Sequence, residues 1–330
     1  DAAQGPEGGI NDAAALAAWM AAATSYSTHQ YTLLPFYIYY SMFGFQRVGD
    51  LAWAAGDLQA KGFLLGGTAG RTTLNGEGLQ HQDGHSHVLA ATVPNCISYD
   101  PAYAFELAVI IRRGLEHMYV EQAPVYYYLT LMNEAYQHPA MPKGVEADIV
   151  KGMYLLETLG QASAPKIRLL GSGALLPEAR SAAQRLVDDF GLQVQVYSVT
   201  SYTELARNVQ DHQRDVLLDG ENVSVQCHVS NLLNNGDWSD APVVAVSDYV
   251  KSLPEQVRGA IDSSFRVLGT DGFGRSDTRE QLRAFFEVDR RFIQYSALSE
   301  LVAAGHMQLD LRDVREQLGI DTHKPNPRQH

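Results

Sequence analysis

The stretch that decides the fold is residues 36–67, FYIYYSMFGFQRVGDLAWAAGDLQAKGFLLGG, in which two short apolar runs enclose an amphipathic run. The first apolar run extends upstream, and we expect a buried strand over residues 32–40. Residues 45–62 predict a helix, and FLLGG at 63–67 predicts a second strand whose glycines lead into a loop. A strand, a helix and a strand in this order indicate an α/β fold.

The same alternation continues on both sides of this unit. Upstream, residues 11–24 (NDAAALAAWMAAAT) predict an alanine-rich helix, which Asn11 or Asp12 caps and which packs closely against another element. Downstream we expect three further elements, namely a strand at 95–100, a helix from Pro101 to about Tyr119 and a strand at 125–132.

A second series of elements follows HPAMPKG at 138–144, whose two prolines and one glycine are the best boundary signal in the chain. The predicted elements of this series are strands at 166–173, 193–200 and 241–248 and helices near 176–191, 278–286, 290–304 and 310–318. The sequence therefore predicts two α/β domains with mainly parallel sheets, one over residues 1–144 and one over residues 145–330.

Composition narrows the classes of function. A formal net charge of −13 disfavours a nucleic-acid partner, because a phosphate backbone is bound by clustered Lys and Arg. Cys96 and Cys227 lie far apart and predict neither a disulfide framework nor a cysteine zinc site, so we expect a reducing, cytoplasmic setting. The most apolar run, 33–45, is too short to span a bilayer, and no membrane role is expected. Because the chain begins with Asp1 rather than Met, we expect a piece of a longer or processed protein.

Residues 76–87, GEGLQHQDGHSH, hold three histidines, two acids and three glycines. His81 and His85 have the spacing of a metal site on a helix, but Gly84 between them and the two glycines upstream favour a loop. A polar loop directly after a short apolar strand is where α/β proteins place catalytic groups, and histidine moves protons near neutral pH. An acid/base site is therefore preferred to a metal site or a merely solvated loop.

Two glycine-rich turns resemble phosphate loops only weakly. LLGSGALLPEA at 169–179 has a partial GxG pattern, and a tight strand-to-helix turn is the better interpretation. GTDGFGRSD at 269–277 lacks the lysine of a phosphate loop, and we interpret it as a turn that opens a helix near Thr278, with Ser276 or Asp277 as the cap.

The aromatic run FYIYYSMFGF at 36–45 allows two roles. About half of it must belong to the core. Tyr40 and Phe43 lie at the end of the predicted strand, beside the histidine-rich loop. They are placed to hold a flat heteroaromatic ring by stacking.

Five longer blocks carry a resemblance to a known family. The blocks are AAATSYSTHQ (21–30), PFYIYYSMFGFQRVGDLAWAAGD (35–57), GRTTLNGEGLQHQDGHSH (70–87), PNCISYDPAYAFELAVI (94–110) and VLGTDGFGRSDTREQLRAFFEVD (267–289). They resemble the homodimeric type of the decarboxylating first component of bacterial pyruvate dehydrogenase complexes. The resemblance covers essentially the whole chain.

The resemblance implies a transketolase-like protein that uses thiamine diphosphate and Mg²⁺. Members have three α/β domains, and this chain resembles the later part of the middle, pyrimidine-binding domain together with the whole C-terminal domain. The family's Gly-Asp-Gly and Asn motif for the metal is not found in the sequence. The Mg²⁺ ligands are therefore expected outside this chain, and none of its residues is assigned to a metal.

The resemblance also implies site residues. Tyr40 and Phe43 match the family's aromatics on the aminopyrimidine side, with Phe43 as the stacking ring and Tyr40 counted among the catalytic residues as well. His81 matches the active-site histidine that contacts the substrate-derived part of the intermediate, and Glu77 matches an acid of the same loop. His85 and His87 extend the motif without a definite role.

One position departs from the family pattern. The family has a glutamate that bonds N1′ of the aminopyrimidine and thereby promotes loss of the thiazolium C2 proton. The sequence GGIND at 8–12 places Asp12 there, one methylene shorter, which removes roughly 1.5 Å of reach. A mispositioned acid/base group commonly costs about 10²- to 10⁴-fold in rate. Glu7 is the alternative if the glycine pair shifts the register.

The activity implied by the resemblance is oxidative decarboxylation of pyruvate, with acetyl transfer to the lipoyl group of a dihydrolipoyl acetyltransferase partner. The family's site lies between subunits, so a homodimer or a companion N-terminal chain is expected, and this chain alone is expected to be inactive. Two alternatives remain open: a close paralogue that acts on 2-oxobutyrate or another short 2-oxo acid, and a degenerate subunit with an assembly role. A plain transketolase is a weaker alternative, because the five blocks are not its pattern.

Overall fold

The computed structural model describes residues 11–220 and 226–330 and contains two β-sheets with helices packed on them. The elements of the first half are α1 (Asp12–Ala23), α2 (Ser25–Thr28), β1 (Phe36–Tyr40), α3 (Gly44–Asp57), β2 (Phe63–Gly67), α4 (Ser86–Ala90), β3 (Cys96–Tyr99), α5 (Ala104–Leu115) and β4 (Tyr126–Thr130). A single turn of π-helix at Glu116–Val120 extends α5. The α/β class predicted from the sequence is confirmed.

The first sheet has the strand order β1-β2-β4-β3, and every pair of neighbours is parallel. The carboxyl ends of its four strands therefore meet at one end of the sheet; they are Tyr40, Gly67, Tyr99 and Thr130. In parallel sheets this is the end at which ligands bind.

The predicted buried strand over residues 32–40 is wrong in its start and in its burial. Strand β1 begins at Phe36, and only one of its faces is covered: Tyr39 is 7% exposed, whereas Ile38 is 63% exposed. The physical reason is position, because β1 is the edge strand of its sheet and α1 and α3 pack on one face only.

Helix α1 buries one face and leaves the other open. Leu16, Trp19 and Ala23 are buried against α3 and the first sheet, so the expected close packing is confirmed on this side. Asn11 is the cap, and its side-chain oxygen accepts a hydrogen bond from the Ala14 amide at 3.0 Å. Asp12 is consequently the first residue of the helix.

The elements of the second half are α6 (Glu146–Lys151), β5 (Met153–Leu159), β6 (Lys166–Gly171), α7 (Leu176–Phe190), β7 (Gln193–Val199), α8 (Tyr202–Asp219), α9 (His228–Leu233), β8 (Val243–Val246), α10 (Ser252–Glu255), β9 (Phe265–Leu268), α11 (Arg279–Phe285), α12 (Arg290–Ala303) and α13 (Leu311–Gln317). The sheet order is β5-β7-β6-β8-β9, parallel except where β5 runs against β7. The sheet is thus mainly parallel, as predicted.

Strands β5 and β9 and helix α8 were not predicted from the sequence. Helix α8 carries a recognisable start signal, because Ser201 is followed three residues later by Glu204 and its hydroxyl accepts a hydrogen bond from the Glu204 amide at 3.0 Å. Strand β5 lacks a regular alternation of polar and apolar residues, so its sequence does not distinguish it from a loop.

Two predicted helix starts are corrected by the structure. The helix after Pro101 begins only at Ala104, because the Glu106 carboxylate accepts hydrogen bonds from the Ala102 and Tyr103 amides, at 2.6 and 3.0 Å, and holds the preceding turn. Helix α11 is capped by Thr278, whose hydroxyl accepts from the Gln281 amide, and not by Ser276 or Asp277.

Residues 131–144, between β4 and α6, contain no helix or strand. The boundary at 144/145 stays a prediction. The two halves pack on each other through buried polar groups: the Glu106 carboxylate of α5 accepts hydrogen bonds from Tyr154 of β5 at 2.7 Å and from Ser198 of β7 at 2.6 Å.

None of the helices that the structure describes combines the length and the apolar character needed to cross a membrane.

Candidate functional site

Three rings meet at the carboxyl end of the first sheet: Tyr40, Phe43 and His81, called here the aromatic corner. The His81 ring lies 5.5 Å from Tyr40 and 5.0 Å from Phe43 between centroids, and Tyr40 lies 6.0 Å from Phe43. All three contacts are edge-to-face, which aromatic rings prefer over a face-to-face sandwich. Tyr40 is 52% exposed, so the corner opens to solvent.

The local sequence explains why β1 ends in this corner. The Ser41 amide continues the sheet by donating to the Gly67 carbonyl at 3.0 Å, and the Phe43 amide turns back to the Tyr40 carbonyl at 3.0 Å. Gly44 then starts α3, and a Cβ there would lie 1.9 Å from the Tyr39 ring. Only glycine permits so tight a turn at the Tyr39 ring, and the turn presents Tyr40 and Phe43 side by side.

Residues 76–87, the histidine loop, carry the third ring of the aromatic corner. His81 ends a single 3₁₀ turn, Leu79–His81, and its side chain is 26% exposed. Its Nδ1 atom is buried and has no hydrogen-bond partner among the described residues. The nearest acid is Glu77, whose carboxylate lies 3.7 Å from Nδ1. A buried imidazole nitrogen without a partner beside two aromatic rings fits a flat ligand with polar groups at its rim.

Asp12 lies on the helix α1 side of the site and is linked to Phe43 through Arg47. One Asp12 oxygen is 3.4 Å from the Arg47 guanidinium, and the other accepts a hydrogen bond from the Tyr37 hydroxyl at 3.3 Å. The Arg47 guanidinium in turn lies 4.0 Å above the Phe43 ring. Burial and the neighbouring Asp12 carboxylate raise the pKa of Tyr37 to about 12, so Tyr37 is a hydrogen-bond donor at neutral pH.

The structure thus brings Asp12, Tyr40, Phe43, Glu77 and His81 to one end of the first sheet. Glu7, the alternative to Asp12, lies outside the described residues.

His85 and His87 do not join His81. His85 precedes α4, and its amide donates to the Asp83 carboxylate at 3.0 Å. His87 is buried, with Nε2 3.0 Å from the Thr130 hydroxyl, and burial lowers its pKa to about 4. The His87 ring also lies 4.8 Å from the Tyr249 ring, so this neutral imidazole packs between the two halves. Among the residues described, no three His, Cys, Asp or Glu side chains lie close enough together to hold a metal ion.

Three residues that organise the site were not predicted from the sequence: Arg47, Gln82 and Asp83. Asp83 is fully buried and accepts hydrogen bonds from the amides of His85 and Ser86, at 3.0 and 2.9 Å, and from the Ser86 hydroxyl. Arg47 stands four residues after Phe43 on a predicted helix, a spacing that places two side chains on one helix face. This spacing could have indicated Arg47 from the sequence. The burial of Gln82 could not be recognised in this way, because it depends on a distant part of the chain.

The glycine-rich turn after β6 is explained by packing. Gly173 has φ +47°, and a Cβ there would lie 2.3 Å from the Asp100 carboxylate. Burial raises the pKa of Asp100 to about 7. The turn approaches a buried carboxyl group closely, which supports the structural interpretation over a phosphate cradle.

Comparison with known proteins gives two matches that together cover most of the chain. Residues 1–139 match the family model of the pyruvate dehydrogenase E1 component middle domain, and residues 152–289 match that of the transketolase-like TK C-terminal domain. The curated proteins named pyruvate dehydrogenase E1 component from Escherichia coli and Cupriavidus necator are similar to this chain, at 55% identity over 323 residues and 53% over 321. Each alignment covers 97% of this chain but only 36% of the relative, so the chain spans about a third of their length.

Solved structures of transketolases share the fold. Transketolase from Campylobacter jejuni superposes with a TM-score of 0.63 at 18% identity, over 88% of this chain and 39% of that one. A split gene transketolase, described as an inactive β4 tetramer, superposes with a TM-score of 0.61 at 15% identity, over 86% of this chain and 81% of that one. Both likenesses concern the fold alone.

Proposed function

Since this chain belongs to the family of pyruvate dehydrogenase E1 components and corresponds to a C-terminal portion of them, we propose that it forms part of a thiamine diphosphate-dependent enzyme. The proposed reaction is the oxidative decarboxylation of pyruvate, with transfer of the acetyl group to the lipoyl group of a dihydrolipoyl acetyltransferase partner. The observation that carries the proposal is the aromatic corner, with its buried His81 Nδ1, which has no partner in the part of the chain that the structure describes.

Thiamine diphosphate, when bound, supplies a carbon nucleophile and an electron sink for the 2-oxo acid. The residues of this chain would hold its aminopyrimidine ring, with Phe43 stacking on the ring and Tyr40 closing the pocket. The Arg47 guanidinium lies over the Phe43 ring, 4.0 Å from the ring centroid. A ligand that stacks on this face of Phe43 must therefore displace the guanidinium.

Asp12 is proposed to bond N1′ of the aminopyrimidine and to move a proton there. Its carboxylate is a third exposed and anchored by Tyr37 and Arg47, so it is held at the edge of the aromatic corner and stays open to a ligand.

His81 is proposed to hydrogen-bond the substrate-derived group through Nδ1 and to assist proton movement. The Glu77 carboxylate of the same loop lies 3.7 Å from that nitrogen. The Mg²⁺ ion and the diphosphate are expected to be held outside this chain, so this chain alone is expected to be inactive.

A second subunit is proposed to cover the open side of the site. The segment from Tyr31 to Tyr40 exposes large apolar side chains, among them Leu34 at 52%, Phe36 at 46% and Ile38 at 63%. Helix α1 adds an exposed row of alanines at 13, 14, 17, 18 and 21. Large exposed apolar side chains clustered in one segment often mark a protein interface. We propose that this surface is covered by a second copy of the chain, in a homodimer, or by a companion N-terminal chain.

We also propose that the two domains of the chain span residues 1–144 and 145–330. The proposed location is the cytoplasm.

The test is to assemble the chain with a companion that carries the diphosphate-binding portion and to measure decarboxylation of pyruvate with an artificial electron acceptor. His81→Ala is expected to lower kcat by about 10²- to 10⁴-fold, because a positioned acid/base group typically contributes that much. His323→Ala, which changes an exposed histidine of the C-terminal segment, is the matched control. Unchanged turnover in His81→Ala would refute the assigned role.

Two alternatives have defined outcomes in the same assay. A higher kcat/KM for 2-oxobutyrate than for pyruvate would identify a paralogue with a different substrate. Tight binding of thiamine diphosphate without turnover of any short 2-oxo acid, reversed by Asp12→Glu, would identify a degenerate subunit with an assembly role.

A further inference from the structure

Gln82 is fully buried although its neighbour His81 lines the open aromatic corner. Its side-chain Nε2 donates hydrogen bonds to the carbonyls of Leu74 at 2.8 Å and Arg275 at 2.7 Å. Its Oε1 accepts a hydrogen bond from the Arg275 amide at 2.7 Å. Both amide protons and the oxygen of Gln82 are thus paired, and two of the three bonds reach the second half of the chain.

The connection between β9 and α11, residues 269–278, continues this contact and is called here the clamp loop. The Gly76 amide donates to the Asp277 carbonyl at 3.1 Å, and the Ser276 hydroxyl donates to the Glu77 carbonyl. These bonds lie at the start of the histidine loop, and the Gln82 bonds lie just after His81. The 3₁₀ turn that carries His81 is therefore fixed to the clamp loop on both sides.

Gly274 of the clamp loop permits this close fit. A Cβ at Gly274 would lie 2.4 Å from Gln82 Oε1, 2.9 Å from Gln82 Cβ and 3.1 Å from the Leu79 carbonyl. Real Cβ atoms essentially never come within 3.0 Å of another heavy atom, and both contacts below that distance are with the buried Gln82 side chain. The clamp loop is thus shaped to seat the histidine loop, and a side chain at 274 would push the two apart.

We propose that Gln82 is a positioning residue, through which the clamp loop of the C-terminal half sets the orientation of His81. The inference rests on the proposed function for its catalytic consequence, and on the geometry of the described residues for the positioning. A loop that bears an acid/base group needs supporting contacts, because displacement of a reacting group by about 1 Å can cost about 10²-fold in rate. The C-terminal half then contributes to the active site directly rather than by supporting assembly.

The positioning is tested first on this chain by NMR of histidine side chains labelled with ¹³C at Cε1, with the His81 signal assigned from its loss in His81→Ala. Tyr40 and Phe43 shift this signal through their ring currents. In Gln82→Leu the His81 signal is expected to move towards the position of an exposed histidine. The matched control is Gln80→Ala, which removes an exposed glutamine of the same loop and should leave the signal in place. A His81 signal that coincides in wild type and Gln82→Leu would overturn the proposal.

Ser276→Ala keeps the test decisive if circular dichroism shows that Gln82→Leu does not fold. Ser276 is exposed and contributes one hydrogen bond from the clamp loop to the Glu77 carbonyl, so its loss spares the core. The His81 signal is expected to shift in the same direction. An unshifted signal in folded Ser276→Ala would count against the clamp.

The catalytic consequence is tested in the assembled enzyme. Gln82→Leu is expected to lower kcat by about 10²-fold while the Kd for thiamine diphosphate stays unchanged, because Phe43 and Tyr40 keep their places. In a His81→Ala background Gln82→Leu should lower kcat no further, because the two residues act as one unit. Equal and additive losses in both backgrounds would refute the positioning role. If the NMR shift is seen but His81→Ala leaves turnover unchanged, the proposed function fails and the clamp stands.

Discussion

At the scale of single residues, the site depends on where a few polar atoms are held. Asp12 is held between Tyr37 and Arg47, and His81 has a buried nitrogen next to Phe43 that finds no partner within residues 11–220 and 226–330. Proteins rarely leave such an atom unpaired unless a ligand or water completes it. The site therefore has the form expected of a pocket that a ligand completes.

Replacing Asp12 distinguishes a working site from a degenerate one. We expect Asp12→Asn to lower kcat of the assembled enzyme by about 10²- to 10⁴-fold, because an amide of the same shape cannot take up a proton. Asp12→Glu should retain or increase turnover, since the added methylene restores reach. Asp57→Asn, at the exposed end of α3, is the control. Full activity in Asp12→Asn, measured as 2-oxo acid decarboxylation, would show that another acid does this work.

At the scale of secondary-structure elements, buried acids join the two halves of the chain. Asp100 follows β3 and accepts hydrogen bonds from Thr130 at 2.7 Å and from Tyr249 at 3.3 Å. Its second carboxylate oxygen is buried without a partner among the described residues and faces Gly173. Burial accordingly raises the pKa of Asp100 from 3.8 to about 7.

This raised pKa predicts a pH dependence of stability. The folded state holds the Asp100 proton more tightly than the unfolded state, so the contribution of Asp100 to the free energy of unfolding falls as the pH rises from about 4 to about 7. Asp100→Asn does not titrate and should become stabilising relative to wild type as the pH rises through this window. Chemical denaturation at about pH 5 and about pH 8 measures the difference. Exposed Asp50→Asn serves as the control, and a pH-independent difference between wild type and Asp100→Asn would contradict the assignment.

The elements that the sequence predicted well are those with a strong local pattern. Strand β2, helix α7 and strand β6 are apolar or amphipathic over their whole length, so their type and place follow from periodicity. Strand β5 has no such pattern and β9 is only four residues long, so neither is distinguished from a loop by its sequence, although each pairs with a neighbouring strand. The exposure of β1 could not be predicted from its apolar sequence, because an exposed apolar edge strand and a buried core strand have the same composition.

In the site, too, residues that belong to a local motif could be predicted and residues held by distant parts of the chain could not. Tyr40, Phe43 and His81 were predicted together from a motif resemblance, and the structure brings their rings within 6.0 Å of one another. Gln82 could not be predicted, because its partner Arg275 is 193 residues away in sequence. Only a folded chain shows that a glutamine beside the catalytic candidate is buried.

At the scale of the whole molecule, the open apolar face predicts association. Ile38→Asp places a charge in the middle of the exposed face of β1 and should weaken self-association or binding of the companion chain, with little effect on the fold. Sedimentation velocity on this chain, alone and with the companion, measures the change. Val120→Asp alters a residue that is 77% exposed elsewhere and should leave association as it is. Equal behaviour of both variants would place the interface on another surface.

The central claim is that this chain supplies the aminopyrimidine side of a thiamine diphosphate site, and titration calorimetry of the assembled protein with thiamine diphosphate tests it most directly. Stacking between aromatic rings is worth about 0.5–1.5 kcal/mol, so Phe43→Ala should raise the Kd by roughly 2- to 12-fold relative to wild type. Trp53→Ala, which alters an aromatic residue of α3 that is 54% exposed, should leave the Kd unchanged. An unchanged Kd in Phe43→Ala, or no binding of thiamine diphosphate by the assembled wild-type protein, would contradict the claim.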